Sequence, residues 1–129
     1  MNYVIIGNSA AAVGTIEGIR QIDKTGNITV ISDEKHHTYS RPLISYWLMG
    51  KVTDKNIYYR SPDFYEKNGV KTMLGCRAVK IDTAAKNVVL SDGSLVPYDK
   101  LMTATGSKPF VPPMNGMDKI ASCHTFMSY

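Results

Sequence analysis

The chain has 129 residues, 43% of them hydrophobic and 20% charged, with a formal charge of +4. That length and balance suit one ordinary globular domain able to bury its own core. The basic residues are scattered rather than clustered with aromatics as on a nucleic-acid surface, and no stretch approaches the ~18 apolar residues of a membrane span.

The amino terminus carries no basic region followed by a long apolar stretch, so a cytoplasmic protein without membrane or nucleic-acid partners is expected. A modest positive field favours an anionic phosphate ligand. Cys76 and Cys123 are far apart and form no Cys-x-x-Cys pair, so neither a disulfide scaffold nor a zinc site is indicated and both read as buried or idle thiols.

In chain order, Tyr3-Val4-Ile5-Ile6 is a short β-branched apolar run bounded by Gly7, which predicts a strand buried on both faces of a parallel sheet. From Ser9 to about Asp23, Ala12, Val13, Ile16, Ile19 and Ile22 recur at helical spacing, and Gly26-Asn27 supplies a stop. Gly14 and Gly18 weaken that helix by about 1 kcal/mol each relative to alanine, so close packing of small residues against the sheet is expected. Ile28-Thr29-Val30-Ile31 predicts a second buried strand, closing a strand-helix-strand unit with parallel pairing.

Residues 35–69 read as a long functional connection with short helices around Leu43 to Met49 and Pro62 to Lys67. Arg77 to Ile81, Asn87 to Leu90 and Leu95 to Pro97 predict a small antiparallel meander, with Ser91-Asp92-Gly93-Ser94 as a hairpin turn. Leu101 to Ala104 predicts one more core strand, broken at Thr105-Gly106 and followed by an extended, proline-containing exit. The fold class is therefore α/β, a parallel sheet with a small antiparallel β-meander.

Gly7-Asn8-Ser9-Ala10-Ala11-Ala12 lies between predicted strand and helix and matches G-x-G-x-x-[GA] except for Ser9 at the second glycine. Gly7 permits the tight turn, the helix N-terminus offers N–H groups to a pyrophosphate, and Ala12 keeps helix and strand close. A plain strand-to-helix turn is the competing reading. Asp33, with Glu34 beside it, stands at the end of the second strand, where a carboxylate accepts from an adenosine ribose, although solvated turn carboxylates are common there. Arg41-Pro42 by itself is an extended dipeptide opening a helix. His36, His37 and His124 fit no metal-ligand spacing and read as loop histidines.

Three blocks in this order resemble the FAD domain of the pyridine nucleotide-disulfide oxidoreductase superfamily, nearest to NAD(P)H-dependent rubredoxin or ferredoxin reductases and nitrite reductase large subunits. They are Gly7 to Gly14, Tyr39-Ser40-Arg41-Pro42-Leu43-Ile44-Ser45, and Tyr98-Asp99-Lys100-Leu101-Met102-Thr103-Ala104-Thr105-Gly106-Ser107-Lys108-Pro109. The resemblance implies a Rossmann-like FAD-binding domain. Its FAD site would be lined by Gly7, Asn8, Ser9, Ala10 and Ala11 at the turn, and by Asp33 and Glu34. Arg41 and Pro42, Ala104, Thr105 and Gly106, and the backbone of Ala78 and Val79 beside the adenine complete it.

The resemblance further implies that FAD takes a hydride from NAD(P)H and passes electrons to an acceptor such as rubredoxin, ferredoxin or nitrite reductase centres. No catalytic side chain is assigned, because the cofactor carries the chemistry. Thiol-dependent relatives carry a redox cysteine in the segment matching Leu43 to Tyr46, and dithiol relatives a Cys-x4-Cys pair; this chain has neither. Where many relatives have lysine after the Leu-x-Ser step, Tyr46 stands, so Tyr46 or Trp47 is expected near the flavin ring.

Family proteins are about three times longer on this reading. Residues 1–129 are thus expected to be the N-terminal segment of the FAD-binding domain, without the NAD(P)-binding domain and the returning FAD segment. An exposed sheet edge and a homodimer are then expected. Two rival readings remain: a self-standing NAD-binding module, and a structural or interaction domain that has lost its cofactor.

Overall fold

Val4, Ile5 and Ile6 all lose their solvent exposure, although successive strand residues point to opposite faces. The strand that carries them, β1 (Asn2–Ile6), is therefore sandwiched between two layers. The structure, a computed structural model, describes residues 1–121 and 124–128. Cys123 lies outside the described residues, whereas Cys76 is a half-buried free thiol.

Helix α1 (Ala10–Ile22) follows β1 and leads to β2 (Asn27–Ser32). The strands pair in parallel, Asn2 opposite Asn27 through Ile6 opposite Ile31. Residues 41–48 form a 3-10 turn (Arg41–Leu43) and α2 (Ile44–Leu48), and α3 (Phe64–Lys67) comes later. Five further strands follow: β3 (Val70–Leu74), β4 (Ala78–Asp82), β5 (Asn87–Leu90), β6 (Leu95–Pro97) and β7 (Lys100–Thr103).

The parallel sheet runs β3-β2-β1-β7, and a separate antiparallel sheet runs β4-β5-β6. One face of the parallel sheet packs on α1 and α3, with Ile5, Ile28 and Val30 meeting Ala12, Val13, Ile16 and Phe64. The other face packs on the meander, with Val4, Ile6 and Ile31 meeting Val88 and Leu90. Each fully buried aliphatic side chain in these layers contributes about 1.5–3 kcal/mol. Two-sided burial is why the β1 sequence is continuously apolar rather than alternating.

Several expectations need correction. Strand β3 was not among the predicted strands, and it forms the sheet edge beside β2, with Lys71 and Thr72 exposed. Gly14 and Gly18 do not pack on the sheet: a Cβ at either would meet nothing within 4 Å. They belong to the flank of α1 turned from the Ala12-Val13-Ile16 stripe, and Gly18 borders an open groove of about 350 Å³ between α1 and β7. Ile22, counted in the apolar stripe, is 91% exposed beside the same groove. Strand β7 is a sheet edge rather than a core strand among the described residues, where β1 alone pairs with it and Lys100, Met102 and Thr103 are exposed.

The connection between β2 and β3 has a small core of its own, Tyr39, Ile44 and Ile57 with Leu43, Trp47 and Val52. A bridge between Tyr39 and Tyr58 closes it. The 91–94 hairpin turn forms as expected: the Leu90 N–H donates to the Ser94 carbonyl at 2.9 Å, and Asp92 Oδ1 accepts from the Ser94 N–H at 2.9 Å. No helix among the described residues is long and apolar enough to cross a membrane.

Candidate functional site at the carboxyl edge of the parallel sheet

Residues following three parallel strands meet at one end of the sheet, which is where open α/β folds bind their ligands. After β1 the chain turns sharply at Gly7, whose φ of +115° is a conformation open to glycine. Its N–H donates to the Ile31 carbonyl at 2.8 Å, tying the turn to β2. A Cβ on Gly7 would stand 2.1 Å from the Ala104 carbonyl oxygen, so the stretch following β7 lies directly on the turn. The expected companions Thr105 and Gly106 continue from that contact, exposed, with Gly106 at φ +69° and nothing within 4 Å of its Cβ position.

Ser9 is the N-cap of α1, and its carbonyl accepts the Val13 N–H at 3.1 Å, but its hydroxyl makes no capping bond. Ala10 and Ala11 are exposed at the helix start, where unpaired N–H groups and the positive end of the helix dipole gather. No carboxylate occupies that first turn to repel an anion. Ala12 is fully buried against the sheet, as its expected role requires.

At the end of β2 the two carboxylates differ. Asp33 is exposed, whereas Glu34 is half-buried and held from two sides. Arg41 Nη2 donates to Glu34 Oε1 at 2.6 Å, and the Tyr39 hydroxyl donates to Oε2 at 2.6 Å. The Arg41 guanidinium also lies 5.3 Å from the centre of the Tyr39 ring and donates through Nη1 to the Met127 carbonyl. Pro42, at the start of the 3-10 turn, is exposed.

The β3–β4 connection joins this edge, because the Cys76 N–H donates to the Ser32 carbonyl at 2.8 Å and the Gly75 N–H to the Glu34 carbonyl at 3.1 Å. It brings Ala78 and Val79 alongside. In the β4–β5 ladder Ala78 faces Leu90 and Lys80 faces Val89, so Val79 is the extra residue of a bulge and is 57% exposed. A bulged residue leaves its backbone polar groups outside the ladder.

One group, the Tyr65 phenol, carries no signal in the sequence. Tyr65 donates its hydroxyl to Asn8 Oδ1 at 2.5 Å, and burial pushes that phenol above its usual pKa of 10.0. His37 lies in a loop, as expected, with its ring 4.7 Å from that of Tyr65 and 5.2 Å from that of Tyr58. Of the two aromatics considered for a flavin contact, Trp47 packs in the connection's small core and donates to Asp54 Oδ1 at 2.6 Å, while Tyr46 is 49% exposed.

The profile of the pyridine nucleotide-disulphide oxidoreductase family matches residues 1–128. The chain is 35% identical over 119 residues to the epsilon subunit of NADH-dependent phenylglyoxylate dehydrogenase from Aromatoleum evansii, covering 92% of this chain and 28% of that protein. It is 38% identical over 117 residues to nitrite reductase [NAD(P)H] of Bacillus subtilis (strain 168), covering 90% of this chain and 14% of that protein. The crystal structure of the covalent putidaredoxin reductase–putidaredoxin complex superposes with a TM-score of 0.80 at 34% identity, covering 87% of this chain and 27% of that one. The glycine turn, the paired carboxylates and the strand ends thus sit in a fold and a sequence that agree, and the chain belongs to the pyridine nucleotide-disulphide oxidoreductase family.

Proposed function

We propose that residues 1–129 form the N-terminal part of the FAD-binding domain of an NAD(P)H-dependent oxidoreductase, whose NAD(P)-binding domain and returning FAD segment belong to a longer protein. The observation that carries this reading is the convergence of Gly7–Ala11, Asp33–Arg41, Ala78–Val79 and Ala104–Gly106 at the carboxyl edge of one parallel sheet. The matched proteins, of which the chain spans 28% and 14%, support the longer whole.

The residues suit FAD. The start of α1, free of acidic side chains, receives the pyrophosphate, with Ser9 adding a hydroxyl not used for capping. Glu34 accepts from the adenosine ribose; Asp33, out in solvent, is the weaker of the two carboxylates for that task. Arg41 neutralises phosphate while keeping Glu34 in place. The bulged backbone of Val79 reads the adenine edge. Thr105, Gly106 and Pro42, all exposed, would complete the lining of the cofactor site, and Tyr46 rather than Trp47 is the exposed aromatic available to the flavin ring.

FAD held by these residues would supply the redox chemistry, with NAD(P)H as hydride donor and a rubredoxin, a ferredoxin or the centres of a nitrite reductase as the kind of acceptor. The chain's own residues bind and orient it. No cysteine stands between Leu43 and Tyr46, so a thiol relay is not part of this scheme.

The rival reading, a fold kept after cofactor loss, draws on Ser9 and on the Arg41–Glu34 pair, whose charges already satisfy each other at 2.6 Å. A visible absorption spectrum of the purified chain, taken before and after FAD addition and desalting, separates the readings. Flavin bands retained near one to one support the FAD site. Absence of flavin from both this chain and its longer parent would sink the oxidoreductase reading, and tight NAD binding without FAD would favour a single-dinucleotide module.

A further inference from the structure

The glycine turn and the 33–41 strap are joined by one short chain of hydrogen bonds. Asn8 Nδ2 donates to the His36 carbonyl at 3.1 Å. The Tyr65 hydroxyl donates to Asn8 Oδ1 at 2.5 Å and accepts the Thr38 N–H at 3.2 Å. Its direction follows from chemistry. A backbone carbonyl only accepts, so the Asn8 amide nitrogen must face His36; Oδ1 then faces the phenol, which must donate; and the phenol's lone pair is left for Thr38.

Both ends of the Asn8 side chain are therefore engaged within the protein. Thr38 is fully buried, so its N–H has no water to fall back on if the phenol is removed. The Tyr65 ring is in turn set by its contacts with His37, at 4.7 Å, and Phe64, at 5.5 Å.

Resting on the dinucleotide reading above, we infer that Asn8 and Tyr65 are positioning residues rather than cofactor contacts. They fix the strap carrying Glu34 and Arg41 at a set distance from the helix start. The ribose subsite and the pyrophosphate subsite then engage one ligand together, and the ligand gains from both because the second contact is made at high effective concentration. Without the latch each subsite survives, but the two are no longer held in register.

The test titrates the chain and its Tyr65→Phe variant with FAD, ADP and adenosine, following binding by NMR and, for FAD, by absorbance. Tyr65→Phe keeps the ring packing and removes only the hydroxyl. The expected result is an affinity for FAD and ADP, which span both subsites, lowered about tenfold, the cost of one buried group left unpaired. Adenosine, which uses only the ribose side, stays within about twofold. Asn8→Ala removes the same latch from its other end and should give the same selective pattern should Tyr65→Phe fold poorly.

Parallel weakening of all three ligands would mean general loosening and would overturn the positioning role, as would unchanged binding of all three. If the unsubstituted chain binds none of them, the same titrations are run on the longer parent with the same substitutions; if that binds none either, the dinucleotide reading itself fails, and the inference with it.

Discussion

A Cβ placed on Gly7 would stand 2.1 Å from the carbonyl oxygen of Ala104 and 2.6 Å from its carbonyl carbon. The turn after β1 and the exit from β7 are thus in backbone contact, with no room for a side chain between them. Gly7 is doubly constrained, since its φ of +115° already disfavours any L side chain.

Gly7→Ala should therefore cost more than about 3 kcal/mol, strain and collision together. Urea unfolding followed by circular dichroism is the measurement, and a loss below about 1 kcal/mol would contradict the contact.

Gly14→Ala is expected to do the opposite. Its Cβ meets nothing within 4 Å in the middle of α1, so only helix propensity changes, a gain of about 0.5–1 kcal/mol. The same denaturation experiment reads it, and a destabilised variant would place an unseen neighbour beside α1.

Between the carboxylates, Glu34→Ala should weaken FAD binding about 10–100-fold, while Asp33→Ala should stay within about threefold. Glu34 is held by Arg41 and Tyr39 and Asp33 is exposed. Equilibrium dialysis with FAD would check this; the reverse ranking would move the ribose contact to Asp33.

Tyr65 ties stability to alkaline pH. Burial raises its phenol above 10.0, so its contribution is complete below that value and is lost as pH rises through the folded-state pKa. Alkaline unfolding should begin above about pH 10, with a shallower limb in Tyr65→Phe. An identical alkaline limb in the variant would count against burial of the phenol.

Strand β7 leaves one side without a partner strand among the described residues, and Met102 on it is 40% exposed. Free parallel edges invite association. Sedimentation of the chain should show concentration-dependent self-association that Met102→Lys reduces, and a monomer at every concentration would remove the homodimer from the scheme.

The sequence by itself determined the elements whose signal is local and repeated. Two-faced burial writes Tyr3-Val4-Ile5-Ile6 as an unbroken apolar run, the α1 stripe recurs at helical spacing, and Ser91-Asp92-Gly93-Ser94 marks its hairpin. Edge strands carry a weaker trace: β3, with Lys71 and Thr72 open to water, lacks the apolar run that marks a buried strand, and the apolar residues of β7 mimic one.

Only the tertiary structure decided which side chains of these segments meet. It brought Tyr65 onto Asn8 from 57 positions away and held Glu34, not Asp33, against Arg41. It also turned Gly14 and Gly18 toward open space instead of the sheet. Such pairings follow from how α3, the strap and the sheet edge pack in three dimensions, and a partner dozens of residues distant leaves no period or spacing in the chain for local reasoning to find.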